Sequence, residues 1–126
     1  MEPYSWEQFD EDAEKIANWA QNKNFKSVYG IPRGGLILAV KFSHLLDIPL
    51  IRNENDITKD TLIVDDIVDT GGTVERLLAS LGPGYRIATI FCNEEAKKPD
   101  FYIRKKTEWI LFPWETKETS RYDGTI

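Results

Sequence analysis

Residues 62–73, LIVDDIVDTGGT, constrain this chain more than any other segment. An apolar run reads as a core strand over 61–66 and ends in two aspartates, Asp65 and Asp66. Asp69, Thr70, Gly71, Gly72 and Thr73 follow directly and open a helix predicted over 73–81. In open α/β sheets, ligands bind outside the carboxyl ends of the strands. The glycines permit a tight turn with inward N–H groups, and the helix adds the positive end of its dipole. Such a turn suits a phosphate, to which Thr70 and Thr73 can also donate hydroxyl hydrogen bonds. Paired aspartates beside it can bind ribose hydroxyls, or hold Mg²⁺ as hard oxygen ligands. The plain alternative is a strand-turn-helix with solvated carboxylates at its mouth.

The rest of the pattern alternates strands with helices. Ser5-x-x-Gln8 predicts a capping box, and Phe9, Ala13, Ile16, Ala17 and Ala20 recur at helical spacing over 6–21. Strands are predicted over 26–31, 48–51, 61–66, 85–92 and 101–104, with a last apolar segment at 109–112. A second helix is predicted over 36–46, after the turn Pro32-Arg33-Gly34-Gly35. The order implies an α/β fold, a mainly parallel central sheet flanked by helices. One domain spans 1–115, and 116–126 is a polar C-terminal tail.

Composition excludes several classes. The 126 residues suffice for one packed core, and nothing approaches the ~20 consecutive apolar residues of a membrane span. A formal charge of −5 argues against a general grip on nucleic acid, though backbone amides and a divalent metal can still hold a phosphate. A lone cysteine, Cys92, allows no internal disulfide and suits a reducing cytoplasm. His44 has no second ligand nearby in sequence and reads as a surface or packing residue.

LIVDDIVDTGGT closely resembles the phosphoribosyl-pyrophosphate (PRPP) binding motif of the type I phosphoribosyltransferases. Residues 30–36, GIPRGGL, are similar to that family's pyrophosphate loop, and 109–115, WILFPWE, to the closing segment of its xanthine-guanine and archaeal purine members. The resemblance implies the type I phosphoribosyltransferase fold and a Mg²⁺-dependent transfer from PRPP to a purine-like base. The products would be pyrophosphate and a nucleoside monophosphate, in purine salvage by a cytoplasmic homodimer.

By the same resemblance, Asp65 and Asp66 bind the ribose hydroxyls, directly or through Mg²⁺. Asp69 is the catalytic residue, accepting a proton from the incoming base. Asp69, Thr70, Gly71, Gly72 and Thr73 cradle the 5′-phosphate, Arg33 and Gly34 hold pyrophosphate, and Trp109 stacks on the base beside the Ile110 backbone. Displacement at the anomeric carbon passes through an oxocarbenium-like state, so the leaving pyrophosphate must be neutralised.

Two departures stand out. The family's purine enzymes carry a lysine where Asn93 stands, so Asn93 becomes the base-contacting candidate, with Lys97 or Lys98 as substitutes. Asparagine can donate and accept, whereas lysine only donates. The flexible loop that covers the reacting centre in the family is also shortened, to about eight residues over 53–60. These departures leave two alternatives open, a non-catalytic PRPP or nucleotide sensor and a transferase for a non-purine acceptor.

Overall fold

Helix α1 (Trp6–Ala20) begins where its capping box predicts. The Gln8 N–H donates to Ser5 Oγ at 3.1 Å, and the Ser5 N–H donates to Gln8 Oε1 at 2.9 Å. Each bond satisfies an amide that has no partner within the helix. The computed structural model describes residues 1–121. Phe9, Ala13, Ile16 and Ala20 form the buried stripe of α1.

A parallel sheet carries the core. Its strands are β2 (Ser27–Gly30), β3 (Leu50–Ile51), β4 (Thr61–Val68), β5 (Arg86–Cys92) and β6 (Phe101–Lys105), in the order β3-β2-β4-β5-β6. Alternation along β4 divides the core. Leu62 and Val64 face α1 and helix α2 (Gly34–Leu46), packing with Ile16, Leu38 and Phe42. Ile63 points to the other face and packs with Val74 and Leu77 of helix α3 (Gly72–Leu81) and with Ile87 of β5. This is the helix-flanked parallel sheet expected from the sequence.

The chain runs outward from β2 to β3, then crosses back over β2 to start β4. The crevice at the carboxyl ends of β2 and β4 is therefore the topological switch point, where such sheets bind ligands. Residues 31–35 and 69–73, the two motif loops, flank that crevice.

Some boundaries differ from expectation. β4 continues to Val68, two residues past the predicted end, because Ile67 and Val68 stay in register with Phe91 and Cys92 of β5. Asp65 and Asp66 thus lie within the strand, and only Asp69 is in the turn. Strand β1 (Glu2–Pro3) carries no strand signal in the sequence; it exists because it pairs in parallel with β7 (Ile110–Leu111). The Glu2 N–H donates to the Trp109 carbonyl at 2.7 Å and the Tyr4 N–H to that of Leu111 at 3.1 Å, fixing the closing segment.

Between β3 and β4 the chain makes one 3-10 turn, Glu54–Asp56, and buries Ile57. Hydroxyls tie its end to the sheet: the Thr58 N–H donates to Thr61 Oγ1 at 2.9 Å, which lies 2.8 Å from Ser27 Oγ. Ile57 anchors the short connection, whose other residues are exposed apart from half-buried Glu54. Among the described residues no helix is long and apolar enough to cross a membrane. Of the polar tail, residues 116–121 form a hydroxyl-bonded turn ending in the 3-10 segment Thr119–Arg121, while 122–126 lie outside the described residues.

Candidate active site

Glycine brings the two loops together. The Ile31 N–H donates to the Val64 carbonyl at 2.9 Å, and the Gly35 N–H to the Ile31 carbonyl at 2.8 Å. The peptide between Pro32 and Arg33 is cis. Any side chain at Gly34 would collide with the Asp66 carboxylate, so the loop can press on that group only with glycine there.

Asp66 is buried and Asp65 half-buried, and the Asp66 N–H donates to Asp65 Oδ1 at 2.8 Å. Burial raises both carboxyls above their ordinary value, and the charge of Asp66 raises Asp65 further. Two hard oxygen donors whose ionised forms are disfavoured by burial fit a divalent cation, which would favour both carboxylates. No cluster of three or more metal-ligating side chains occurs among the described residues. A cation held by this pair would therefore complete its shell with substrate oxygens and water.

Beyond the strand, Gly71 adopts φ +86° and caps α3, a conformation that glycine allows without strain. The exposed residues Thr70, Gly72 and Thr73 surround the N-terminus of the helix. Asp69 is partly exposed and takes an ion pair from Lys106 Nζ at 2.7 Å.

The closing segment forms the opposite wall. The Trp109 indole is 41% exposed, although its Nε1–H donates to Ser120 Oγ at 2.7 Å. Ile110 is buried behind it. Phe112 and Trp114 stack with ring centres 4.9 Å apart, and Glu115 Oε1 accepts the Phe112 N–H at 3.0 Å. Burial raises the Glu115 carboxyl, with a further contribution from the negative charge of Asp66.

These walls enclose a cavity of about 960 Å³. Arg33, Gly34, Asp65, Asp66, Asp69, Thr70, Gly71, Thr73, Trp109 and Ile110 line it, residues drawn from all three sequence motifs. Gly72 and Asn93 do not line it. The Asn93 N–H donates to the Val68 carbonyl at 2.7 Å, and its Oδ1 accepts the Glu95 N–H at 3.1 Å, so this carboxamide caps its own turn. Lys98 donates to the Glu94 carbonyl in the same loop, and neither it nor Lys97 reaches the cavity. His44 is exposed on α2, and burial holds the Cys92 thiol protonated.

Sequence reasoning missed Lys106, Glu115 and Ser120, all of which line the cavity. Glu115 lies inside the recognised closing segment and could have been found there. Lys106 and Ser120 sit among ordinary polar residues, and only tertiary contact marks them.

Comparison with known proteins agrees with this geometry. The phosphoribosyl transferase domain matches residues 51–121. The xanthine-guanine phosphoribosyltransferase of Desulfotalea psychrophila is 32% identical over 91% of this chain and 86% of its own length. The chain belongs to the phosphoribosyltransferase family. Phosphoribosyltransferases are enzymes, and this one shares the fold of solved members. The purine phosphoribosyltransferase of Pyrococcus horikoshii aligns with a TM-score of 0.77 at 30% identity, covering 90% of this chain and 93% of its own. The xanthine-guanine-hypoxanthine phosphoribosyltransferase of Helicobacter pylori aligns with a TM-score of 0.80 at 26% identity, covering 94% and 95%.

Proposed function

We propose that this phosphoribosyltransferase moves the 5-phosphoribosyl group of PRPP to a purine base, releasing pyrophosphate and a nucleoside monophosphate for purine salvage. The observation that carries the proposal is the cavity at the switch point, where Asp65, Asp66 and Asp69 face Trp109 across a space of about 960 Å³.

In this reading the N-terminus of α3 and the hydroxyls of Thr70 and Thr73 hold the 5′-phosphate, with Gly71 and Gly72 shaping the turn. Asp65 and Asp66 hold the ribose hydroxyls and a Mg²⁺ ion. When bound, Mg²⁺ neutralises negative charge on the departing pyrophosphate. Arg33 and the Gly34 loop bind that pyrophosphate, and Glu115 is close enough to Asp66 to influence the same region. Trp109 supplies a face for the base, and Asp69 accepts the proton the base loses as its nitrogen bonds to the anomeric carbon. Holding base and sugar in contact accounts for much of the acceleration, because the displacement then becomes unimolecular.

An oxocarbenium-like centre must be kept from water. Of the connection at 52–60 only Glu54 lines the cavity, so residues 116–121, pinned to Trp109 through Ser120, supply that cover and close the domain formed by 1–115. Leu36 and Val40, exposed one turn apart on α2, would seat the second copy of a homodimer. A buried, unpaired Cys92 suits the cytoplasm.

The test is turnover followed by mass spectrometry, with PRPP, Mg²⁺ and a panel of purine and pyrimidine bases. A purine nucleotide is expected from the parent. Asp69→Asn should form it slowly while binding PRPP nearly as well, whereas Asp66→Asn should lose PRPP affinity. Product from pyrimidines alone, or equal affinity losses in the two variants, would overturn the assignment.

A further inference from the structure

Three polar residues of the cavity wall lie outside the sequence motifs: Tyr29 of β2, Glu54 of the 3-10 turn and Arg76 of α3. Tyr29 is 7% exposed and packs in the cluster of Ile57, Val74 and Leu77. Its hydroxyl is nevertheless open to the cavity and has no hydrogen-bond partner. A buried tyrosine usually finds a partner for its hydroxyl. Here only something that enters the cavity can provide one. Burial raises the phenol, the negative charge of Glu54 raises it further, and Arg76 opposes them, so the three groups share one field. The phenol keeps its proton and can donate.

Arg76 follows Thr73 by three residues and lies on the same face of α3. Helical side chains lean towards the N-terminus, so the guanidinium can reach back beside the turn at 70–73. Its present partner is Glu54, with Nη2 and Oε1 3.8 Å apart and the side chains 65% and 35% exposed. That ion pair is too long for a hydrogen bond and too exposed to contribute much. A phosphate would offer the guanidinium short, charge-assisted and bidentate bonds instead. The exchange of Glu54 for a phosphate therefore favours the ligand.

We propose that Tyr29 and Arg76 form a phosphate subsite at the N-terminus of α3, which the Glu54 carboxylate occupies as an internal stand-in for the anion. The ligand is a sugar phosphomonoester. Its arrival draws Arg76 from Glu54, and the Tyr29 hydroxyl donates to a phosphate oxygen. The identity of that sugar phosphate rests on the purine-transfer reading, which makes it PRPP or the product nucleotide. Residues 70–73 bring amides and hydroxyls but no positive side chain. Arg76 adds the charge that separates a phosphorylated ribose from a plain one.

The experiment is steady-state kinetics on the full chain with PRPP, Mg²⁺ and guanine. Arg76→Gln should raise KM for PRPP roughly 5- to 30-fold, and Tyr29→Phe roughly 3- to 10-fold, the range of hydrogen bonds to a charged group. KM for the base should stay within about twofold of the parent. Arg76→Lys should recover part of the loss. Glu54→Gln should act in the opposite direction, lowering KM for PRPP about two- to fivefold. That gain should vanish in the double variant Glu54→Gln/Arg76→Gln. An unchanged KM for PRPP in Arg76→Gln, a raised one in Glu54→Gln, or a gain that persists without Arg76 overturns the proposal. So does a lower melting temperature with kcat depressed and KM for PRPP unmoved, which marks a structural role. Calorimetric binding of IMP and inosine separates the subsite from the transferase reading. A parent without turnover that binds IMP more tightly than inosine, with the difference narrowed in Arg76→Gln, refutes transfer but supports the subsite. The same difference in parent and variant refutes the subsite whatever the turnover, and a parent that binds no IMP refutes both.

Discussion

The Trp109 indole N–H donates a 2.7 Å hydrogen bond to the Ser120 hydroxyl, joining the C-terminal turn to the aromatic wall of the cavity. Ser120 is itself buried, at 6% exposure, while the indole is 41% exposed, so the bond is partly buried. Losing one neutral hydrogen bond costs about 1 kcal/mol, and a buried donor left unpaired costs more. Ser120→Ala should therefore loosen Trp109 and raise the base KM roughly threefold to tenfold. KM for PRPP, which the proposed reading places away from Trp109, should not move. Kinetics with each substrate varied in turn decide this, and a change confined to PRPP would detach the turn from the base site.

Asp65 and Asp66 make the unliganded fold dependent on pH. Burial raises both carboxyls above the ordinary value of 3.8, so the favourable contribution of their protonated forms is complete below that value. It is lost as pH rises through the raised values, because ionisation within the fold is then penalised. Asp65→Asn keeps an oxygen for the Asp66 N–H but removes one buried charge. At pH 8 without Mg²⁺ this variant should melt several degrees above the parent, at roughly 3–6 °C per kcal/mol for a domain of this size. Near pH 4 the gap should close. Turnover with PRPP should fall by at least about 100-fold if Asp65 holds the ribose and the metal as proposed. Scanning calorimetry across pH 4–8 provides the check, and identical melting curves would mean that the carboxyls are not penalised.

Asp12 presents the opposite case, a buried charge that is fully paired. It is 0% exposed, accepts from Tyr4 Oη at 2.6 Å and from Arg104 Nε at 2.7 Å, and thereby joins α1 to β6. Removing one partner of a buried pair costs about 3–5 kcal/mol, since the other charge is left unmatched. Asp12→Ala should lose that much in urea unfolding, and Tyr4→Phe only about 1–2 kcal/mol. Neither residue lines the cavity, so the folded fraction should keep its kcat/KM. A loss below about 1 kcal/mol for Asp12→Ala would make the cluster a surface-like pair.

The capping box at Ser5, the alternation along β4 and the Gly71-Gly72 turn were legible in the sequence because each is a local pattern with a local cause. They sufficed for the α/β class and for the residues that β4 and its following turn bring to the cavity. The limits of β4 were not legible, because Ile67 and Val68 extend the strand only by pairing with Phe91 and Cys92. Glu2–Pro3 likewise becomes a strand only because Trp109 and Leu111 offer carbonyls to it. Asn93 drew attention as the residue after β5, yet its carboxamide turns back to the Glu95 amide.

By itself the sequence determined the strand, its aspartates and the glycine turn that border the cavity, because all three are encoded within 62–73. Tertiary structure alone decided what faces them. Lys106 meets Asp69 from 37 residues away, and Ser120 meets Trp109 from 11. Ion pairs and hydrogen bonds between distant side chains leave no periodicity in the chain, since their partners become neighbours only once strand order and register bring them together.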